Sequence, residues 1–263
     1  MPESRAGCAR REDRGVSRHH RGRVDVFGWR GRLGVIVPDN NTVLEPELYG
    51  VMPHGVSMHC ARVVMRGVAA RERVPTAVAA LPGIIEGLRK RVGVLAYACM
   101  TSSLVQPAGW HESLREATEG VPFLPAGETM LKALEAVQAR RIGVFSPFLE
   151  EVASLVPGWF DRRGIRVVHN VNVAFTRDQV TSHSLEEFYP LIRREFAGKD
   201  IDALAVLATD LATFDAIDAL ESDLELPVIS SNMALLWCML GAIGVREDVA
   251  VGGLFRLRAP DRI

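Results

Sequence analysis

The stretch Val94-Leu-Ala-Tyr-Ala-Cys-Met-Thr-Ser-Ser103 joins a short apolar run directly to a polar, hydroxyl-rich turn. An apolar run of this length without polar alternation is typical of a strand that is buried on both faces of a parallel sheet. The turn that follows opens into a helix-length segment. The stretch therefore predicts a strand, a loop at its carboxyl end and a helix, which is the repeating unit of an α/β protein.

The same pattern recurs 109 residues later, where Ala203-Leu-Ala-Val-Leu-Ala208 aligns with residues 94–99. Two further pairs of segments have the same offset: Gly34-Val-Ile-Val-Pro38 with Gly143-Val-Phe-Ser-Pro147, and Gly55-Val-Ser-Met58 with Gly164-Ile-Arg-Val167. Three separated matches at one offset indicate an internal duplication.

The duplication predicts an α/β fold of two similar doubly wound parallel-sheet halves, related by a pseudo-twofold axis, with the active cleft between them. The predicted strands are 33–37, 56–63, 92–98, 121–124, 142–146, 165–173, 203–208 and 227–230. The predicted helices are 76–91, 128–139, 149–163, 185–196 and 214–223. The expected divisions are a basic, disordered arm (1–32), a first half (33–138), a second half (139–246) and a C-terminal segment (247–263).

The charge of the chain is distributed unevenly. Its 263 residues have a formal net charge of −1, but residues 1–32 contain nine arginines and four acidic residues, a net charge of +5. The remainder therefore carries −6. An acidic body does not favour a polyphosphate surface, so we expect no nucleic-acid partner.

The apolar segments and cysteines limit the location of the protein. The most apolar stretch, 233–245, has 13 residues, fewer than the ~20 that cross a bilayer. No signal-peptide pattern precedes residue 35. The four cysteines (8, 60, 99 and 238) contain no CxxC pair, which argues against a disulfide framework or zinc site. We therefore expect a cytoplasmic protein without membrane contact.

Cys99 is the strongest candidate for chemistry. The chain contains no P-loop, GxGxxG, GxSxG or HExxH pattern. Cys99 follows an apolar strand and begins a helix, where backbone N–H groups can lower a thiol pKa. An inert buried thiol fits its position equally well. Cys60 and Cys238 are predicted core residues, and the scattered histidines predict no metal site.

The predicted strand-end loops are rich in hydroxyl and amide groups, which suit a small carboxylate. Asn41 follows the first strand, although Thr42 and Glu45 also fit a helix capping box. The other candidate binding residues in these loops are Thr101, Ser102, Phe148, Thr209 and Asn232.

Several motifs resemble the maleate isomerase and arylmalonate decarboxylase branch of the aspartate/glutamate racemase superfamily. They are Pro38-Asp-Asn-Asn-Thr42 with Glu45-Pro-Glu47, Gly55-Val-Ser-Met-His-Cys-Ala-Arg62, Ala96-Tyr-Ala-Cys99, Ser146-Pro-Phe148 and Pro227-Val-Ile-Ser-Ser-Asn232 with Trp237. The resemblance runs from about residue 33 to residue 244. It implies a cofactor-free cleft flanked by one cysteine from each half, and a homo-oligomer. Cys99 matches the first cysteine and Asn41 the substrate-binding asparagine.

The chain departs from the family pattern at three positions. The second cysteine falls at Ala208, the binding tyrosine at Phe148, and a family asparagine at Arg177 or Asp178. Asp210, two residues beyond Ala208, could replace the missing thiol as an acid if burial raises its pKa. A cap for the following helix is its alternative role.

These observations predict a cofactor-independent isomerase of a small carboxylic or dicarboxylic acid, similar to maleate cis–trans isomerase, with Cys99 and Asp210 as catalytic residues. One alternative is a decarboxylase that protonates one face of its product. Another is a small-acid-binding protein without turnover, which the losses at Ala208 and Phe148 would explain.

Overall fold

The protein, seen in a computed structural model, is described over residues 26–246 and 249–260. Eight strands form two four-stranded parallel sheets in this part of the chain. The strands are β1 (Gly31–Pro38), β2 (Val56–Val63), β3 (Val94–Tyr97), β4 (Phe123–Pro125), β5 (Arg141–Ser146), β6 (Arg166–Asn172), β7 (Ala203–Val206) and β8 (Val228–Ser230).

The two sheets have the same topology. The strand order is β2-β1-β3-β4 in the first and β6-β5-β7-β8 in the second. The register repeats as well, because Leu33 pairs with Val94 in the first sheet and Ile142 pairs with Ala203 in the second. Both positions are 109 residues apart, which confirms the predicted α/β fold of two similar halves.

Helices and turns cover both sheets. The helices are α1 (Leu44–Gly50), α2 (Ala70–Arg89), α3 (Met100–Val105), α4 (Arg115–Thr118), α5 (Ala126–Ala136), α6 (Glu150–Ala153), α7 (Val156–Asp161), α8 (Arg177–Val180), α9 (Tyr189–Phe196), α10 (Phe214–Leu224) and α11 (Ser231–Ala242). Short 3₁₀ turns lie at Trp110–Leu114, Leu185–Phe188 and Leu254–Arg256.

Helices α5 and α11 pack against each other between the two sheets. Helix α11 is buried from Ser231 to Gly241, which explains why its sequence is almost entirely apolar. It is therefore a core helix, and none of the helices in the described ranges is both long and apolar enough to cross a membrane.

A close contact at the start of α5 also joins the halves. The indole Nε1 of Trp159 donates a hydrogen bond to the carbonyl oxygen of Ser103 at 2.7 Å. The backbone N–H of Gly127 donates to the Ser103 hydroxyl at 3.0 Å. A Cβ atom on Gly127 would lie only 2.5 Å from the Ser103 Cβ and 2.9 Å from the Trp159 ring. Only glycine fits this position.

Three predicted helices differ from the structure. Helix α2 begins at Ala70, six residues before the predicted start at 76. The predicted helix 149–163 is divided into α6 and α7, because Pro157 begins a new helix near its N-terminus. The predicted helix 185–196 is a 3₁₀ turn followed by α9, again with proline near the helix start.

The ends of the described chain pack on the halves. Strand β1 begins at Gly31, so the last two residues of the predicted arm lie in this strand. Residues 1–25, with Cys8, lie outside the described residues, as do 247–248 and 261–263. The C-terminal segment contacts the second half, where Trp237 Nε1 donates to the carbonyl oxygen of Leu257 at 3.2 Å and Gly252 N–H donates to Asp218 at 2.8 Å.

Candidate active site

A cavity of about 50 Å³ lies at the carboxyl ends of the central strands and is lined by both halves. The first half contributes Pro38, Asn40, Met65, Arg73, Cys99, Met100 and Thr101, and the second half contributes Phe148, Arg177, Thr209 and Asp210. Ligands of open α/β sheets bind at this end of the strands. The cavity is therefore the candidate active site.

Cys99 lies between β3 and α3 and is 5% exposed. The Ser102 hydroxyl donates a hydrogen bond to its Sγ at 3.2 Å, and the Tyr97 hydroxyl lies 3.0 Å from Ser102 Oγ. Burial raises the pKa of the Cys99 thiol, although the hydrogen bonds from Ser102 and Tyr97 oppose this effect. The expectation that the start of a helix lowers this pKa is wrong, because desolvation of the thiolate outweighs the donors.

Asp210 follows β7 on the other side of the cavity lining. Asp210 is partly buried and lines the cavity. Burial raises the pKa of Asp210 to about 6, and the Arg177 charge and a hydrogen bond from Asn40 partly oppose the shift. The Asp210 charge in turn raises the pKa of Cys99. The two groups therefore interact electrostatically.

A chain of hydrogen bonds fixes the loops that carry these two residues. The Thr209 hydroxyl donates to the carbonyl oxygen of Ala98 at 2.9 Å. The Asn41 amide nitrogen donates to the carbonyl oxygen of Thr209 at 2.9 Å. Ala98 precedes Cys99 and Thr209 precedes Asp210. These hydrogen bonds therefore hold the two loops together, with Cys99 and Asp210 on the wall of the same cavity.

Arg177, the first residue of α8, crosses from the second half to the loop after β1. Its Nη2 donates to Asp39 Oδ1 and to Asn40 Oδ1, both at 2.6 Å. The Asn40 amide nitrogen returns a hydrogen bond to the carbonyl oxygen of Arg177 at 3.0 Å. Burial alone would raise the pKa of Asp39, but the Arg177 hydrogen bond and charge hold it below its ordinary value. The Arg177 charge is therefore balanced.

Arg73 lies on α2 and also lines the cavity. Its Nη1 donates to the carbonyl oxygen of Val68. Its Nε is buried and makes no hydrogen bond. This arginine thus has a buried N–H donor without an acceptor, and its charge interacts with Glu151 without forming an ion pair.

Five of the predicted site residues line the cavity: Cys99, Thr101, Phe148, Thr209 and Asp210. Ser102 does not line it but supports the Cys99 sulfur. Asn41 also lies off the wall, since its Oδ1 accepts the N–H groups of Val43 and Leu44 at the start of α1.

The predicted site residue Asn232 is likewise away from the cavity. It is buried and donates a hydrogen bond to Glu47. Its amide therefore links α11 to α1.

Two predicted helix caps are wrong. Asn41 accepts the N–H groups at the start of α1, and the Thr42 side chain makes no cap hydrogen bond there. At the start of α10, the Glu47 carboxylate accepts the N–H groups of Thr213 and Phe214. Asp210 is therefore not the cap of α10, and its carboxyl group remains available to the cavity.

Three polar residues of the cavity were missed from sequence: Asn40, Arg73 and Arg177. Asn40 had a usable signal because it adjoins Asn41 in the same strand-end loop. Arg177 was noted only as a departure from the family pattern. Arg73 had no signal, since the predicted helix began after it. Among residues 26–246 and 249–260, no cluster of three His, Cys, Asp or Glu side chains could hold a metal ion.

Comparison with known proteins agrees with this geometry. A family model described as arylmalonate decarboxylase matches residues 33–255. A maleate isomerase from Pseudomonas putida is 22% identical over 249 residues, which cover 84% of this chain and 95% of the relative.

Solved structures have the same fold. A cysteine-to-alanine variant of the maleate isomerase Iso from Pseudomonas putida, determined with maleate, superposes with a TM-score of 0.80 at 25% identity, covering 86% of this chain and 97% of that one. A cysteine-to-serine mutant of Nocardia farcinica maleate cis-trans isomerase, determined with a covalently bound succinylcysteine intermediate, gives 0.77 at 20% identity, covering 86% and 98%.

These findings confirm the resemblance seen in the sequence motifs. The family model covers both halves and the whole cavity lining. The chain belongs to the arylmalonate decarboxylase family.

Proposed function

We propose that the protein is a cofactor-independent cis–trans isomerase of a small dicarboxylic acid such as maleate, with Cys99 as nucleophile and Asp210 as acid and base. The observation that carries this proposal is that Cys99 and Asp210 come from corresponding strand-end loops of the two halves and line one cavity. The relatives named as maleate isomerases, one with a succinylcysteine intermediate, support the same reaction class.

The reaction begins with a proton transfer between the two side chains. Burial disfavours a charge on either group, so the pair holds one proton and one negative charge near neutral pH. Transfer of the proton from Cys99 Sγ to the Asp210 carboxylate gives a thiolate and a carboxylic acid together. Ser102 and Tyr97 stabilise the thiolate by hydrogen bonding. A nucleophile and an acid are thus formed in one step.

The thiolate then adds to one alkene carbon of the substrate. A carbon–sulfur bond forms, the π electrons move toward the second alkene carbon, and that carbon takes the proton from Asp210. The former double bond is now single and can rotate. Asp210 removes a proton from the second carbon, the double bond forms again, and the thiolate leaves. The atoms and electrons balance without a further reactant.

The named relatives favour a diacid over an arylmalonate as substrate. Three curated relatives that match this chain at 22% identity are named maleate isomerases. The decarboxylase alternative is not better supported. A binder without turnover would not require the thiol and carboxyl group to meet in one cavity.

The proposal is tested by incubating the protein with maleate and following the trans diacid by NMR. We expect wild-type turnover, at least a 1,000-fold loss in Cys99→Ser on the scale of nucleophile removal, and near-normal turnover in the matched variants Cys60→Ser and Cys238→Ser. Burial raises the pKa of both control thiols to about 12, and neither lines the cavity.

Other outcomes separate the alternatives. Equal activity in the three cysteine variants would overturn the assignment of Cys99. Release of carbon dioxide from an arylmalonate without isomerisation of maleate would instead establish the decarboxylase. Binding of diacids without any conversion would establish the non-catalytic protein.

A further inference from the structure

Resting on the function proposed above, we propose that Arg73 binds one carboxylate of the substrate and makes the protein select dianions over monoanions. Arg73 shares the cavity wall with Cys99. The proposal depends on its position, on its unsatisfied donor and on the charges that surround the cavity.

The position of Arg73 is fixed from both halves of the molecule. Glu151, in α6 of the second half, accepts hydrogen bonds from the N–H groups of Ala70 at 3.0 Å and Arg71 at 3.3 Å. Glu72 accepts the N–H group of Val68 at 3.0 Å. These contacts start α2 early enough to place Arg73 in its first turns, directly at the cavity.

The Arg73 guanidinium lacks an acidic partner among the described ion pairs. Its Nη1 donates only to the Val68 carbonyl, and its Nε is buried without a hydrogen bond. Glu151 is the nearby acid, but its carboxylate already accepts the two helix N–H groups. A buried guanidinium N–H that has no acceptor is costly, and a ligand carboxylate in the cavity would supply one.

Four other side chains on the wall are less suited than Arg73 to bind a substrate carboxylate. The Arg177 charge is balanced by Asp39, and Phe148 offers no hydrogen-bond donor. Cys99 and Asp210 share one negative charge whichever of them holds the proton, so this pair does not attract a substrate carboxylate. Arg73 is the cation of the cavity lining without an ion-pair partner among the described residues, and it matches the second negative charge of a diacid.

The test compares a diacid with its half-amide. In Arg73→Met we expect KM for maleate to rise about 50-fold, with a smaller change in kcat, because one charge-assisted hydrogen bond is lost. KM for maleamate, which has one carboxylate fewer, should change less than 5-fold. Arg73→Lys should restore part of the preference. Arg71→Met, on the same helix but off the cavity wall, should retain wild-type KM for both.

A second measurement does not require turnover. Succinate, a saturated dianion, should protect Cys99 from alkylation by iodoacetamide in the wild type, with at least 10-fold weaker protection in Arg73→Met. Succinamate should protect both proteins equally. Circular dichroism and the melting temperature verify that each variant is folded, and Arg73→Gln, which also removes the charge, replaces Arg73→Met if the latter is not folded.

The two proposals fail separately in these experiments. If the wild type does not isomerise maleate but succinate protection depends on Arg73, the isomerase assignment fails and the role of Arg73 stands. If maleate is isomerised and the preference for dianions is the same in Arg73→Met as in wild type, the role of Arg73 is overturned.

Discussion

In the proposed mechanism, Cys99 and Asp210 act as one acid–base unit, because burial acts on both in the same direction. It raises the pKa of the thiol and raises that of the carboxyl group to about 6. Two negative charges on the wall of one cavity would repel each other, so the pair loses its protons in two well-separated steps. The reactive form is the one with a single proton.

This coupling predicts the pH dependence of Cys99 alkylation by a neutral reagent. As the pH rises through about 6, the pair loses its first proton, and a fraction of molecules then carries the thiolate. The alkylation rate should therefore rise near pH 6 and again above pH 9. In Asp210→Asn the first rise should be absent, and isomerisation should fall at least 100-fold. Peptide mass spectrometry identifies the modified residue at each pH.

Stability measurements provide the control for this variant. Because its pKa is raised, Asp210 ionises less readily in the folded state than in the unfolded state. The stabilisation that protonated Asp210 gives the folded state is therefore lost as the pH rises from about 4 through about 6. Above that range Asp210→Asn should unfold with a higher free energy than wild type, by up to about 3 kcal/mol. A variant that is destabilised and retains the rise near pH 6 would contradict the coupled pair.

At the residue scale, the sequence predicted those cavity residues that lie directly after a strand. Cys99, Thr101, Thr209 and Asp210 all follow apolar runs that are visible without a structure. Arg73 could not be predicted, because its place depends on hydrogen bonds that the start of α2 donates to Glu151, which is far away in sequence.

At the element scale, helix starts were harder to predict than strands. All eight predicted strands exist. The inner strands β1, β3, β5 and β7 are apolar runs that are almost entirely buried, whereas the edge strands β2 and β6 are partly exposed. The predicted helix began at 76, directly after Pro75. The structure instead begins α2 at Ala70 and includes Pro75, since acids from two segments satisfy the first N–H groups.

Glu47 connects three helices across the two halves. It lies on α1, accepts the N–H groups of Thr213 and Phe214 at the start of α10, and accepts the amide of Asn232 on α11. Burial raises the pKa of Glu47, and these hydrogen bonds oppose the shift. The carboxylate therefore sets the distance between the halves near the cavity.

Replacing Glu47 by alanine should lower the free energy of unfolding by about 3 kcal/mol, because buried donors are left without an acceptor. Urea denaturation measures the change. Glu45→Ala is the matched control on the same helix, where a partly exposed ion pair with Arg62 should contribute less than about 1 kcal/mol. Equal losses in the two variants would show that Glu47 does not join the halves.

At the scale of the whole molecule, the two sheets share a core. One apolar cluster contains Val35 and Ala96 of the first sheet, Val144 and Ala205 of the second, and helix α11. Helices α5 and α11 pack face to face across the halves. The division at residues 138 and 139 thus marks a repeat of the chain, and we expect neither half to be stable alone.

We therefore predict a single cooperative unfolding transition. In native-state hydrogen exchange, the slowest amides of β3 and β7 should open with the same free energy, because both strands lie in one core. A difference of more than about 1 kcal/mol between them would show that the halves unfold independently. The predicted homo-oligomer is a separate matter, which light scattering at several protein concentrations would test.

The methyl group of Ala208 has a consequence for oxidation. A cleft with a thiol on each side can close into a disulfide, which is reversible but blocks the reaction. Here Ala208 is buried where the repeat would place the second sulfur, and of the described cysteines only Cys99 lines the cavity. Mild peroxide should therefore convert Cys99 to a sulfenic acid with no resolving thiol beside it. Without a disulfide to stop it, further peroxide would oxidise this sulfenic acid irreversibly to the sulfinic acid.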